Sequence, residues 1–92
     1  MIFEPWIGVD LDGTLAEYTD WETNQFRIGA PIRPMVKRVQ RWILAGHTIK
    51  IFTARVSHTV HELNEAQRAL IRAWCIDNIS AELEITNIKD YG

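Results

Sequence analysis

Apolar segments of two kinds alternate along the chain, and this alternation constrains the fold more than any other feature. Short apolar runs typical of buried strands occupy residues 2–9, 48–53 and 83–88, and two segments with helical spacing of apolar residues lie between them. The order strand, helix, strand, helix, strand predicts a parallel sheet with right-handed crossovers. We therefore expect one α/β domain over residues 1–92, with a truncated Rossmann-like parallel sheet of about three strands and flanking helices.

The two helical segments have recognisable ends and apolar faces. Pro34 stands at a favoured helix start, and Gly46 is a plausible helix end. A second helix is predicted from about residue 60 to residue 78. Residues 15–32 are irregular and are predicted to form a short hairpin or an ordered loop. Apolar residues at helical spacing predict the buried faces, with Met35, Val39, Trp42 and Ile43 on the first helix and Leu63, Ala66, Leu70, Ala73 and Trp74 on the second.

Composition narrows the partners and the compartment. The net charge of −2 gives no general attraction to nucleic acid or to anionic membranes, although Lys37, Arg38 and Arg41 leave a local basic patch open. Cys75 is the only cysteine, so no internal disulfide can form. We see no signal peptide and no apolar run near the roughly 20 residues that span a bilayer. These features predict a cytoplasmic protein with no membrane partner.

Two carboxylates follow the first predicted strand in the sequence Asp10-Leu11-Asp12-Gly13-Thr14. A carboxylate can attack a phosphoryl group and form an aspartyl phosphate, so Asp10 is the candidate nucleophile. Asp12 is the candidate acid and base, which protonates the leaving oxygen and later activates water. Mg²⁺ is the expected cofactor, held by Asp10 and Asp12, because it binds one or two carboxylates together with substrate phosphate.

Other polar residues fall at or after predicted strand ends, where functional groups of parallel sheets gather. Thr53 is predicted to hydrogen-bond a phosphate oxygen, and Lys89 to supply a positive charge. Gly13 allows a sharp turn that brings backbone amides near a phosphate. Gly13, Thr14 and Arg55 are therefore candidate substrate-binding residues.

Each of these signals also has an ordinary structural interpretation. Asp-Gly is a common turn sequence, a threonine at a strand end often caps a helix, and a single lysine is usually a solvated charge. A calcium-binding EF-hand loop is excluded, because its sixth and twelfth positions would hold Leu15 and Trp21 instead of glycine and glutamate.

The combined motifs resemble those of the haloacid dehalogenase-like (HAD) superfamily. Asp10-Leu11-Asp12-Gly13-Thr14 is similar to its first motif, Thr53 in Phe52-Thr53-Ala54-Arg55 to its second, and Lys89 to its third. The sequence of residues 8–16, together with Phe52-Thr53-Ala54-Arg55, is most similar to that of a small capless subgroup found in bacteria and phages. The resemblance implies a HAD-like fold without a cap domain, the catalytic roles given above for Asp10, Asp12, Thr53 and Lys89, and bound Mg²⁺.

The same resemblance implies what lies beside the site. Residues 15–32 correspond to the family's squiggle and flap, where Tyr18 or Trp21 could stack on a base or sugar, or only pack within the flap. The family's fourth motif is an acidic pair after a further strand, and this sequence reaches Gly92 without it. We expect a shortened member whose first strand has an exposed edge, and therefore a homodimer or a protein partner that adds a strand.

Three hypotheses follow from these observations. The first is a Mg²⁺-dependent phosphohydrolase acting on a phosphomonoester, such as a phosphorylated small molecule or a nucleic-acid end. The second is a catalytically weakened or inactive HAD-fold binding protein, such as a phage-derived inhibitor or regulator that acts by protein–protein contact. The third is a fragment of a longer enzyme.

Overall fold

The computed structural model describes residues 5–20, 24 and 26–88 of the chain. It is an α/β structure with two helices and a three-stranded parallel sheet whose strands follow one another in chain order. The parallel α/β arrangement predicted from the sequence is confirmed. The elements in chain order are strand β1 (Trp6–Asp10), helix α1 (Arg33–Leu44), strand β2 (Thr48–Phe52), a 3₁₀ turn (Ala54–Val56), helix α2 (His61–Ile79) and strand β3 (Glu84–Thr86).

One face of the sheet forms the hydrophobic core with both helices. Val9, Ile51 and Ile85 lie side by side in register across the three strands and are all buried. Helix α1 contacts β2 and α2, and α2 contacts β3. The buried residues of strands and helices form a single cluster. Both helices therefore lie against this face.

The opposite face of the sheet carries polar and aromatic side chains. Lys50 lies between Gly8 and Glu84 in the strand register. Its ammonium stands 4.7 Å from the ring centre of Trp6 and 3.5 Å from a carboxylate oxygen of Glu84. A Cβ at Gly8 would lie 2.8 Å from the Trp6 ring, so glycine leaves room for this ring. Charge pairing and a cation–π contact thus cover this face.

Helix α1 begins and ends close to the predicted positions. Pro34 occupies the first turn, after Ile32 at the N-cap, and Gly46 follows the helix with φ of 92°. The Gly46 amide donates to the Ile43 carbonyl, which completes the helix end. Val36 and Val39 are buried, and the other predicted face residues, Met35, Trp42 and Ile43, pack partly buried against the core.

The predicted buried face of α2 was partly wrong. The buried stripe is Gln67, Ile71, Cys75 and Ile79, spaced by four residues. Leu63, Ala66 and Ala73 are exposed, whereas Leu70 and Trp74 are half-buried. The helix is rotated from the prediction because a polar residue, Gln67, occupies a core position beside a buried arginine. Apolar periodicity cannot reveal such a position.

The two ends of the segment 15–32, residues 15–20 and 26–32, form the hairpin-like pairing that was one of the two predicted possibilities. The Glu17 amide donates to the Ala30 carbonyl, and the Ile32 amide donates to the Leu15 carbonyl. Gly29 allows the two arms to approach, because an added Cβ would lie 2.2 Å from the Glu17 carbonyl oxygen. The Trp74 indole donates to the Gly29 carbonyl at 3.1 Å and fastens this segment, here called the flap, to α2.

Two further features concern the helices. Cys75 is buried within α2, and desolvation raises the pKa of its thiol from 9.0 to about 11.

Within the described part of the chain, neither helix combines the length and apolar character that crossing a membrane requires.

Candidate active site

A shallow cleft of about 260 Å³ lies at the carboxyl edge of the sheet. It brings together Asp10 and Asp12 from the end of β1 and Thr53 from the end of β2, three residues that the sequence places in one site. Its lining consists of Asp10, Leu11, Asp12, Tyr18, Phe52, Thr53 and Ala54. The position follows from the parallel sheet, in which loops after adjacent strands meet at one edge.

The turn after β1 is held by backbone hydrogen bonds to a single buried residue. The carbonyl oxygen of Leu11 accepts from the amides of Thr14, Leu15 and Ala16 at 3.0–3.3 Å. The Gly13 amide donates to the Ala16 carbonyl at 2.8 Å, and Gly13 has φ of 85°, a left-handed conformation that favours glycine. The turn therefore fixes the backbone on both sides of Asp12.

Asp10 is the last residue of β1 and is exposed. Within the described residues, no hydrogen bond or ion pair engages its carboxylate. A carboxylate that lines a cleft and that no described residue engages can approach an incoming electrophile directly. The arrangement is suited to a nucleophile.

Asp12 is bound differently, although it lies only two residues away. Its two carboxylate oxygens accept hydrogen bonds from Nε and Nη2 of Arg55, each at 2.8 Å. The Arg55 side chain is fully buried, and that of Asp12 is 10% exposed. Such a bidentate pair fixes the plane of the carboxylate as well as its position. Each oxygen still has a further lone pair for a proton or a metal ion.

Arg55 also connects the site to the rest of the fold. Its Nη2 donates to the Arg27 carbonyl of the flap at 2.7 Å, and its Nη1 reaches Oε1 of Gln67 on α2 at 3.5 Å. Arg55 was predicted to contact substrate, and the structure places it behind Asp12, outside the cleft lining. Its buried position assigns it to the support of Asp12 and of the flap.

Thr53 has a structural bond and still faces the cleft. Its hydroxyl oxygen accepts from the Arg55 amide at 3.1 Å and caps the 3₁₀ turn. Its own amide donates to the Thr86 carbonyl at 2.9 Å. Because the hydroxyl oxygen acts as acceptor in the cap, its proton can be donated to a ligand oxygen. The cap and the predicted phosphate contact are therefore compatible.

The remaining predicted residues lie near the cleft or outside the residues that the structure describes. Gly13 is exposed and Thr14 half-buried in the turn beside Asp12, and neither lines the cleft. Lys89 lies outside the described residues, as do Trp21 and Asp90.

Two aromatic residues contribute to the cleft. Tyr18 is 67% exposed and Phe52 is half-buried, and both line the cleft next to Asp10. The sequence indicated Tyr18 as a stacking candidate. Phe52 was missed as a site residue, although it directly precedes Thr53 and pairs in register with Asp10.

Comparison of the chain with protein-family models, with curated proteins and with solved structures finds no match. Across the described residues, no three side chains of His, Cys, Asp or Glu are close enough together to hold a metal ion. The carboxylates at the cleft are those of Asp10 and Asp12.

Proposed function

We propose that this chain is a Mg²⁺-dependent phosphohydrolase of the HAD type that cleaves a phosphomonoester through an aspartyl phosphate at Asp10. One observation carries the proposal: the Asp10 carboxylate, which no described residue engages, shares a cleft with an oriented carboxylate, Asp12, and with the hydroxyl of Thr53. A nucleophile, an acid and base, and a phosphate ligand are the groups that this reaction requires.

The reaction has two steps at the phosphorus atom. In the first, an Asp10 oxygen forms a bond to phosphorus while the bond to the leaving oxygen breaks, and Asp12 gives that oxygen a proton. In the second, Asp12 takes a proton from water as the water oxygen attacks phosphorus, and the Asp10 carboxylate leaves. Inorganic phosphate is the product, and both aspartates return to their starting forms.

Arg55 supports this cycle by position. Its two hydrogen bonds set the orientation of Asp12 toward the cleft, and its bond to the Arg27 carbonyl places the flap beside the same carboxylate. Positioning and charge stabilisation account for most of the catalysis in phosphoryl transfer. Thr53 is proposed to donate its hydroxyl proton to a phosphate oxygen, and Lys89 to add a positive charge.

The residues at the cleft fit a magnesium ion. Asp10 and Asp12 would hold it through carboxylate oxygens, which are hard donors, and water and substrate phosphate would complete its shell. When bound, the ion neutralises charge on the phosphoryl oxygens.

The open cleft favours exposed phosphate groups. Tyr18 stands at the cleft on the first arm of the flap, and the flap in its described part is a short hairpin. We propose a phosphorylated small molecule or a nucleic-acid end as substrate, with Tyr18 able to stack on a base or sugar.

The test is phosphate release from an aryl phosphate in the presence of Mg²⁺. Wild type is compared with Asp10→Asn and with Asp77→Asn, a matched change at an exposed aspartate of α2 outside the cleft. We expect activity in wild type and in Asp77→Asn, and loss in Asp10→Asn and after chelation of Mg²⁺. Wild-type release no faster than that of Asp10→Asn would refute the proposal.

A second candidate function is a HAD-fold binding protein, and one observation favours it. The sheet order places β1 at an edge of the sheet in the described part of the chain. Edge strands accept further strands from a second copy or from a partner. Measurement of the molecular mass in solution tests the homodimer. If Asp10→Asn retains the effect that the wild-type chain has in cells, binding is favoured over catalysis.

A further inference from the structure

The positive charges of the chain are distributed unevenly. Helix α1 carries four of the ten Lys and Arg residues and no acidic residue. Elsewhere in the described part of the chain there are five Lys and Arg residues, and four of them, Lys50, Arg55, Arg68 and Arg72, form an ion pair with Asp or Glu, the exception being Arg27. The four cations of α1, in contrast, form no ion pair with any described residue. They are Arg33, Lys37, Arg38 and Arg41, here called the α1 basic face.

All members of the α1 basic face are exposed and line one open surface depression of about 350 Å³. Arg33, Lys37 and Arg41 are spaced by four residues, so they stack along one side of the helix at intervals of roughly 6 Å. Arg38 lies beside this row. The result is a linear array of charge about 12 Å long, which covers the first two thirds of the helix.

The stability of the helix does not explain this array. Arg33 stands in the first turn, where the helix dipole disfavours positive charge. Like charges four residues apart also repel each other on a helix. A protein with a net charge of −2 thus concentrates repelling cations on one surface. A ligand with several negative charges in a row would relieve the repulsion.

We propose that the α1 basic face binds the phosphate backbone of a nucleic-acid strand. A linear row of cations complements a linear row of phosphates, and such contacts supply most of the sequence-independent affinity for nucleic acid. Insertion into a membrane interface is not open to this helix, because an interfacial helix inserts its apolar face. The apolar face of α1 is already used in the core, where Val36 and Val39 are buried.

The basic face begins at the edge of the sheet that holds the cleft. Helix α1 starts at Arg33, immediately after Ile32, whose amide donates to Leu15 of the turn that follows Asp12. A strand bound along α1 would therefore extend from the neighbourhood of the cleft. Binding by this face does not depend on the proposed hydrolysis.

The experiment measures binding of a fluorescent single-stranded oligonucleotide by anisotropy over a series of salt concentrations. It uses the Asp10→Asn chain with a chelator, so that turnover cannot contribute. The test variant is Lys37→Ala/Arg38→Ala/Arg41→Ala, and the control is Arg68→Ala/Arg72→Ala, which removes exposed or half-buried cations from α2. Circular dichroism checks that each variant is folded.

We expect the control to bind like the parent and the test variant to bind at least tenfold more weakly. The slope of log K against log salt should fall in magnitude by about 2, since each lost phosphate contact contributes about 0.7 for a single strand. No binding by the parent at low salt would overturn the proposal, and so would equal binding by the test variant. Preference for anionic vesicles or for a polyglutamate peptide over the oligonucleotide would also overturn it. Phosphate release by wild type is measured separately, so failure of binding and failure of catalysis are distinguished.

Discussion

Both carboxylate oxygens of Asp12 accept hydrogen bonds from the Arg55 guanidinium, across a sequence separation of 43 residues. The pair joins the turn after β1 to the loop after β2. Through the same guanidinium, the flap and α2 are bound to that turn. The orientation of the candidate acid and base therefore depends on a residue that has no exposed surface.

Arg55→Lys should destabilise the fold although it keeps the charge. A lysine cannot make two parallel hydrogen bonds to a carboxylate, and buried groups lose their partners. We expect the free energy of unfolding to fall by about 1.5–3 kcal/mol, as for a lost hydrogen bond to a charged group. Arg72→Lys, at an exposed pair with Glu82, should cost less than about 1 kcal/mol. Urea denaturation measures both, and equal costs would contradict the role given to Arg55.

Thr53→Val removes the hydroxyl of Thr53 and keeps the shape of its side chain. The variant loses the cap that accepts from the Arg55 amide, and we expect a loss of about 0.5–2 kcal/mol in unfolding free energy. Thr53→Ser keeps the hydroxyl and should retain most of the stability. If the hydroxyl contacts phosphate, KM for the aryl phosphate should rise in Thr53→Val and not in Thr53→Ser. Equal KM values in the two variants would remove Thr53 from the proposed site.

Gly29→Ala should open the flap. An added Cβ would stand 2.2 Å from the Glu17 carbonyl oxygen, so the two arms must separate. At Gly46, by contrast, a Cβ would meet no atom within 4 Å, and alanine there costs only the left-handed backbone, about 1–2 kcal/mol. Limited proteolysis should cleave residues 15–32 faster in Gly29→Ala than in Gly46→Ala. Equal cleavage rates would show that the arms are not in close contact.

Cys75 should make stability depend on alkaline pH. Its pKa is raised from 9.0 to about 11 by burial, so between these values the unfolded chain loses a proton that the folded chain keeps. The contribution is fully present below pH 9 and is lost as pH rises toward 11, by about 1.4 kcal/mol for each pH unit. Chemical denaturation of wild type and Cys75→Ala across this range measures it. Parallel pH profiles for the two proteins would contradict the prediction.

The parallel sheet and its helices could be predicted from the sequence because their signals are local. Apolar runs, Pro34 and Gly46 act within a few residues of their own positions, and the structure has the elements close to where these signals place them. Asp10, Asp12 and Thr53 could be placed at one edge because that follows from parallel strands.

The support of the site could not be predicted, because it depends on contacts between distant segments. Arg55 resembles a surface arginine in the sequence, yet it is buried because Asp12, Arg27 and Gln67 supply acceptors for its donors. Gln67 in turn occupies a core position, so the buried face of α2 differs from the predicted one. Gly29 has no local signal either, since its need for a missing Cβ arises from the opposite arm of the flap.

The central claim is that Asp10 attacks phosphorus, and the most direct measurement is mass spectrometry of the acid-quenched reaction with an aryl phosphate and Mg²⁺. We predict a phosphoryl group on the peptide that contains Asp10 in wild type and in Asp77→Asn, and none in Asp10→Asn. Phosphate release by wild type without this modified peptide, or with the phosphoryl group on another residue, would contradict the account.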